Sequence, residues 1–342
     1  MEREAQRERT GYFRNGRTDA LNDLALLRSA PRLFALPHTL AVALVLVTLV
    51  GGFGAGCARL ALAPRYLSRC PAEGPEPTSD LGIRPIPLDL AAHYAELASY
   101  ADRFDIEELG RMPDSTVADG VPDEYPILQI QTRNRDAAKR MLIVAGIHGN
   151  EAAGLLAVPR ILDLLEEQRP VHAEWSVTVI TPANPIGVVH GSRYNAQGCD
   201  INRDFQDSQT LEARLLQDAI ASERPDLIVS LHEGAQAGFM LVVTSMGSEE
   251  SGRAVVEAVR ERGIPISDTH FLGFALGTPG LSKEGRFYDW LKAISRHYTL
   301  GLYATRRGVG AYTTESDWAA TNLEQRVWPH VIAVEALLAP DP

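Results

Sequence analysis

The stretch Met141-Leu142-Ile143-Val144-Ala145-Gly146-Ile147-His148-Gly149-Asn150-Glu151 decides how this chain folds. Leu142 to Ile147 is an apolar run bounded on its far side by Lys139 and Arg140, the pattern of a strand buried on both faces, and Gly149 is placed to turn the chain sharply after it. Such a strand carries His148 and Glu151 to its carboxyl end, where ligands bind in an open α/β sheet. Two metal-binding side chains three residues apart on one turn can close on a single ion. Taken alone, the pair fits an ordinary polar loop equally well.

A second buried strand, Leu227 to Leu231, ends in His232-Glu233-Gly234. A lone His at a strand end is ordinarily a satisfied polar residue. Two such ends side by side would bring His148, Glu151 and His232 to one point. Two imidazoles and one carboxylate leave the fourth tetrahedral position of zinc for water, the arrangement of a catalytic site. The chain has 3 cysteines, Cys57, Cys70 and Cys199. They are too few for a disulfide framework and lack the paired spacing of a thiolate zinc site, so any metal must be held by His and carboxylate.

The periodicity of the remaining chain predicts helices over 88–104, 152–167, 211–222 and 249–263, the last stopped by Gly263. It predicts strands over 127–131 and 175–181, and the first of these could pair with the organising strand as in a hairpin. Strands alternating with helices mean an α/β fold with a mixed, largely parallel sheet flanked by helices. At 342 residues, 45% hydrophobic and 23% charged, the chain suits one large domain with appendages. Its formal net charge of -11, with no basic stripe in the domain, argues against a nucleic-acid partner.

The N-terminal part reads differently. Residues 1–32 form a polar tail that buries little. The segment 33–58 contains no Asp, Glu, Lys or Arg and is long enough to cross a bilayer. A buried core helix of that length would show a polar stripe. Arg28 and Arg32 precede it and Arg59, Arg65 and Arg69 follow, so the flanks alone do not orient it. Counting the whole tail, positive residues favour the N-terminus inside. The segment is either a retained signal anchor or a cleaved export signal, and Gly54-Ala55-Gly56-Cys57 partly resembles a lipobox, without the usual aliphatic residue at position 54. Either fate makes the protein a cell-membrane or exported one, with the domain facing the periplasm or the cell exterior. Residues 59–87 are rich in Pro and Gly and read as an extended spacer. The globular domain is 88–342.

Between the two strand ends lie Asn184-Pro185-Ile186-Gly187 and the block Arg193-Tyr194-Asn195-Ala196-Gln197-Gly198-Cys199-Asp200-Ile201-Asn202-Arg203-Asp204-Phe205. The order His-x-x-Glu, Asn-Pro-x-Gly, Arg, Gly-x-Asp-x-Asn-Arg-Asp-Phe, strand-His and strand-Glu resembles the zinc carboxypeptidase superfamily, and within it the bacterial murein peptide amidase branch. The resemblance covers about 88–342. It implies one zinc per chain, held by His148, Glu151 and His232. Arg193 then polarises the scissile carbonyl and stabilises the oxyanion. Asn202 and Arg203 grip a substrate carboxylate, a task suited to a planar guanidinium. A salt bridge to Asp200 or Asp204 is the other reading of Arg203. Glu315, at the end of the short run Ala311-Tyr312-Thr313-Thr314-Glu315, matches the general base that takes a proton from water and passes it to the leaving amine.

Some positions do not match securely. Tyr288, Tyr303 and Tyr312 all compete for the tyrosine that lines the pocket in peptidase members. Gly277-Thr278-Pro279-Gly280 looks like a substrate-side loop of the murein branch, although Pro and Gly make many loops alike. Glu233 either backs the ligands or is merely exposed. Cys199 reads as small apolar filler; a bond to Cys70 is possible in an oxidising compartment but has no support from spacing.

The resemblance implies zinc-dependent hydrolysis of an amide bond next to a free carboxylate, in a cell-wall peptide. An N-acyl-amino-acid deacylase of the succinylglutamate desuccinylase and aspartoacylase branch carries similar His-Gly-Asn-Glu and Asn-Arg motifs. The export segment disfavours it, because those substrates are cytosolic metabolites. A third reading is an inactive binding module on a membrane stalk, against which the intact Glu315 and Arg193 speak.

Overall fold

The computed structural model describes residues 68–76, 82–114, 123–167, 173–294 and 298–339. The polar tail and the uncharged segment 33–58 lie outside the described residues. Among the described residues no helix is long and apolar enough to cross a membrane.

Eight strands form one sheet: β1 (Asp105–Pro113), β2 (Glu124–Gln131), β3 (Lys139–Ala145), β4 (Trp175–Thr181), β5 (Leu227–Gly234), β6 (Met240–Val243), β7 (Leu281–Lys283) and β8 (Gly310–Asp317). Their spatial order is β1-β2-β4-β3-β5-β8-β6-β7. The centre, β4-β3-β5-β8, is parallel throughout, and antiparallel pairs lie outside it. The helices are α1 (Leu90–Ala98), α2 (Ala152–Glu167), α3 (Pro185–His190), α4 (Leu211–Glu223), α5 (Glu249–Glu261), α6 (Arg286–Ile294), α7 (Leu300–Arg306) and α8 (Leu323–Leu338).

Alternation along β3 explains why helices cover both faces. Met141, Ile143 and Ala145 join one apolar cluster with residues of α2, α5 and α8, while Leu142 and Val144 join another with residues of α4 and α7. Successive side chains of a strand point to opposite faces, so a continuous apolar run needs a cover on each. Burying each such Leu, Ile or Val side chain contributes roughly 1.5–3 kcal/mol.

Several boundaries differ from the sequence reading. The strand at 127–131 does not form a hairpin with β3: it pairs with β1 and β4, and β4 stands between. The α2 crossover brings β4 back parallel to β3 and occupies the edge that a hairpin would have needed. Strand β3 ends at Ala145, and Gly146, at φ 75°, makes the turn. Gly149 serves a close approach instead, since a Cβ there would lie 1.9 Å from the Gly187 carbonyl carbon. Helix α1 is shorter than the predicted 88–104. Asp89 caps its start, accepting from the Ala92 N–H at 3.0 Å, and tight turns follow from Ser99.

The described parts of the Pro- and Gly-rich stretch lie along the globule and are not a free spacer. Ile83 is buried, and the Arg84 N–H donates to Trp318 O at 3.0 Å. The Asp200 N–H donates to Arg69 O at 2.7 Å, and Cys70 is disulfide-bonded to Cys199. That bond answers the question that spacing left open.

Candidate metal centre and active site

The parallel registers assemble the site. Ala145 of β3 lies beside Leu231 of β5, so the residues following each strand emerge at one edge, and His232 of β5 lies beside Glu315 of β8. His148, Glu151 and His232 are all buried and together could hold a metal ion. His148 Nδ1 is 2.7 Å from Glu151 Oε1, His232 Nδ1 is 2.8 Å from Glu151 Oε2, and the two Nδ1 atoms are 3.1 Å apart. A tetrahedral zinc with bonds of about 2.0–2.1 Å sets its ligand atoms about 3.3 Å apart. Two lone-pair nitrogens and a carboxylate this close, in a buried place, suit a cation; the donor set fits zinc.

The surroundings hold these groups in place. Asp200 Oδ1 lies 3.1 Å from His148 Nε2, which favours the proton on that nitrogen and leaves Nδ1 as a ligand. Asp200 Oδ2 accepts from Arg193 Nε at 3.0 Å, and Arg193 Nη1 comes within 3.3 Å of His148 Nδ1 and 3.4 Å of Glu151 Oε1. Burial alone would raise the Glu151 and Asp200 pKa values. For Glu151 the neighbouring imidazoles, and for Asp200 the Arg193 and His148 charges, overcome it and hold both well below the usual carboxylate range.

Glu315 behaves oppositely. It is half-buried, and burial, added to by the Glu151 and Glu233 charges and opposed by His232 and Arg193, pushes its pKa up to about 7. A carboxylate poised near neutrality is suited to taking and returning a proton. Gly234 leaves it room, because a Cβ there would stand 3.0 Å from Glu315 Oε2.

Asn202 and Arg203 sit on the short 3-10 helix Ile201–Arg203, capped by the Asp200 carboxylate accepting from the Asn202 N–H at 2.9 Å. The Asn202 amide oxygen accepts from the Leu300 N–H at 2.9 Å, which orients the amide. Arg203 Nη1 donates to Asn202 O at 2.9 Å, and the Asp200 charge acts on Arg203. Asp200 pairs with Arg193 Nη2 at 2.9 Å.

The tyrosine question separates by contact. Tyr312 is buried, its hydroxyl accepting from the Ser248 N–H at 2.8 Å, and Tyr303 is buried against Phe205 and Arg307. Both are structural. Tyr288 of α6 is the one near Arg203: burial and the Glu284 charge push its pKa up to about 12, against the Arg203 charge. Gly280 packs against Ile266 and Val256, a structural role within the 277–280 loop.

Three supporting residues were not singled out from sequence. Asp200 lay inside the quoted block, yet nothing there marked it as the partner of both His148 and Arg193. Arg326 of α8 is buried and donates from Nε to Glu233 Oε1 at 2.6 Å, while Glu233 Oε2 accepts from the Ala153 N–H at 3.0 Å. Glu233 is thus buried, and its own N–H donates to Glu151 Oε2 at 3.2 Å. His330 of α8 bridges Thr314 at 2.7 Å and Ser316 at 3.2 Å on either side of Glu315.

Comparison with known proteins agrees with this geometry. Residues 137–266 match the family model of the succinylglutamate desuccinylase/aspartoacylase catalytic domain. Among solved structures, a candidate metallopeptidase from Shewanella amazonensis is 20% identical over 74% of this chain and 94% of its own, with a TM-score of 0.59. A metallo-carboxypeptidase from Burkholderia cenocepacia is 18% identical over 74% of this chain and 69% of its own, at 0.53. One from Pseudomonas aeruginosa, in complex with (2-guanidinoethylmercapto)succinic acid, is 16% identical over 74% and 69%, at 0.52. Comparison with curated proteins gives no match. The family model matches part of the chain, and the solved structures share its fold. The His148, Glu151 and His232 cluster is a site fit for a metal ion.

Proposed function

We propose that the protein hydrolyses an amide bond next to a free carboxylate, with a murein peptide as substrate. The observation that carries the chemistry is the convergence of His148, Glu151 and His232 beside Arg193, with Glu315 in register with His232. A zinc ion held there supplies Lewis acidity, polarising the carbonyl and acidifying water. Glu315 takes a proton from the attacking water, the resulting hydroxyl adds to the amide carbon, and the same carboxyl returns the proton to the leaving nitrogen as the C–N bond breaks. Arg193 faces the charge that develops on the carbonyl oxygen. Asn202 and Arg203 hold the substrate carboxylate and so fix which amide reaches the base.

The murein reading is supported by the uncharged segment 33–58 and by the Cys70–Cys199 disulfide, both features of exported proteins. In the envelope, peptides ending in free carboxylates are chiefly cell-wall fragments. The family-model match favours a second reading, an N-acyl-amino-acid deacylase. Purified protein should bind about one equivalent of zinc and release a carboxylate-bearing residue from muropeptides faster than it deacylates N-succinylglutamate or N-acetylaspartate. The reverse preference would select the deacylase reading. Arg203→Ala should raise KM on free-acid substrates while sparing the amidated forms; equal losses on both would remove the clamp.

A further inference from the structure

The N-terminal arm 68–76 is bound to the loop that builds the site. Arg69 O accepts from the Asp200 N–H at 2.7 Å, and the Ala72 N–H donates to Gly198 O at 3.3 Å. The Arg69 guanidinium donates to Asp204 at 3.2 Å, to Asp207 at 2.9 Å and to Gln209 at 2.8 Å. Gly198, at φ 72°, has no room for a side chain, since a Cβ would lie 2.0 Å from Ala72 O. The Cys70–Cys199 bond locks the contact across a sequence separation of 129. Cys199 immediately precedes Asp200, and Asp200 touches both His148 Nε2 and Arg193.

We propose that the Cys70–Cys199 disulfide is a positioning device for the metal centre. By clamping the arm onto the 195–209 loop it fixes the Asp200 backbone, and Asp200 in turn orients the His148 ring and the Arg193 guanidinium. Without the bond, the arm keeps two backbone hydrogen bonds to the loop, at Gly198 and Asp200, and the contacts of the single Arg69 side chain, of which the Asp204 pair is part-buried and those to Asp207 and Gln209 are exposed and contribute little. The carboxylate behind a metal-ligating histidine governs affinity by factors of about 10–100. An oxidising compartment is then a condition for full zinc affinity. The proposal rests on His148, Glu151 and His232 being the zinc ligands.

The test is a zinc-affinity measurement by chelator competition on the full chain, comparing the parent, Cys70→Ser/Cys199→Ser and Asp200→Asn. The double substitution removes both thiols, so no freed thiolate competes for the ion. Affinity should fall about tenfold in the double variant and at least as much in Asp200→Asn. Amide hydrogen exchange over 198–204 should rise in the double variant alone. Should that variant not fold, the bond is opened in the folded parent with a phosphine. Water supplies the oxygen of the phosphine oxide, two thiols form, and iodoacetamide caps them before the same two measurements. Zinc affinity within twofold of the parent, or unchanged exchange over 198–204, would overturn the proposal. A parent that binds no zinc would instead remove the ligand assignment.

Discussion

Glu315 concentrates the cost of the site in one carboxyl. Its pKa is raised to about 7, whereas an unfolded glutamate titrates near 4.5. Between those values the unfolded chain binds fewer protons than the folded one, so stability contributed by this group is full below about 4.5 and lost as pH rises through about 7. Denaturant unfolding of the metal-free protein should show a loss of no more than about 3 kcal/mol across that window, absent in Glu315→Gln. Equal pH slopes in parent and variant would contradict it. Glu151 runs the other way: its imidazole-held charge stabilises above the unfolded value and the contribution is lost as pH falls below it. The same Glu315→Gln change keeps the shape but removes the proton acceptor, so turnover should fall on the order of 10²-fold or more with zinc retained. Near-normal turnover would place the base elsewhere.

The turn between β3 and α2 shows how an element, not a residue, presents ligands. It packs against the start of α3, where Asn184 accepts from the Gly187 N–H at 3.0 Å and its amide donates to Ile147 O at 3.3 Å. The Asn-Pro-x-Gly motif is thus a helix cap that also bonds to the ligand-bearing turn, with Pro185 in the first helical turn. Gly149 touches Gly187 and Val188 through backbone atoms only, which cannot swing aside as a side chain would. Gly149→Ala should therefore destabilise by at least about 3 kcal/mol, in the range reserved for overpacking and backbone strain. Thermal unfolding would check this; a midpoint within a degree or two of the parent would mean that the two turns separate easily. Behind the same turn the buried Glu233–Arg326 pair ties β5 to α8, and Glu233 also holds the first residues of α2.

At the scale of the molecule, the arm limits the length of any tether to the expected membrane segment. The domain is engaged from Arg69 onward, so only about ten residues separate the uncharged segment's end at position 58 from the domain, a reach of about 35 Å fully extended. A membrane-spanning 33–58 with its tail inside would keep the active site close to the outer face of the bilayer. The protein should then fractionate with membranes, and protease added to spheroplasts should digest the domain. Protection of the domain in intact spheroplasts would reverse the topology and remove the main support for murein over acyl-amino-acid substrates.

Local signals in the chain determined the strands that end in His148 and His232, the α2 and β4 spans, and the ordered motifs from Arg193 to Phe205, because each is a continuous run whose periodicity or composition needs no distant partner. The convergence of the three candidate ligands needed in addition that β3 and β5 lie side by side, which the folded sheet supplies. Other features needed the folded chain. The place of β4 between β2 and β3 is a competition among edges that no single strand encodes. Arg326 and His330 lie on a C-terminal helix whose sequence carries no mark of the site, and they meet Glu233 and β8 only when α8 packs on the sheet. The Cys70–Cys199 bond joins positions 129 residues apart. Pairing at that distance depends on where the arm is laid down, and that is set by hydrogen bonds and ion pairs on a surface that exists only after the domain has folded.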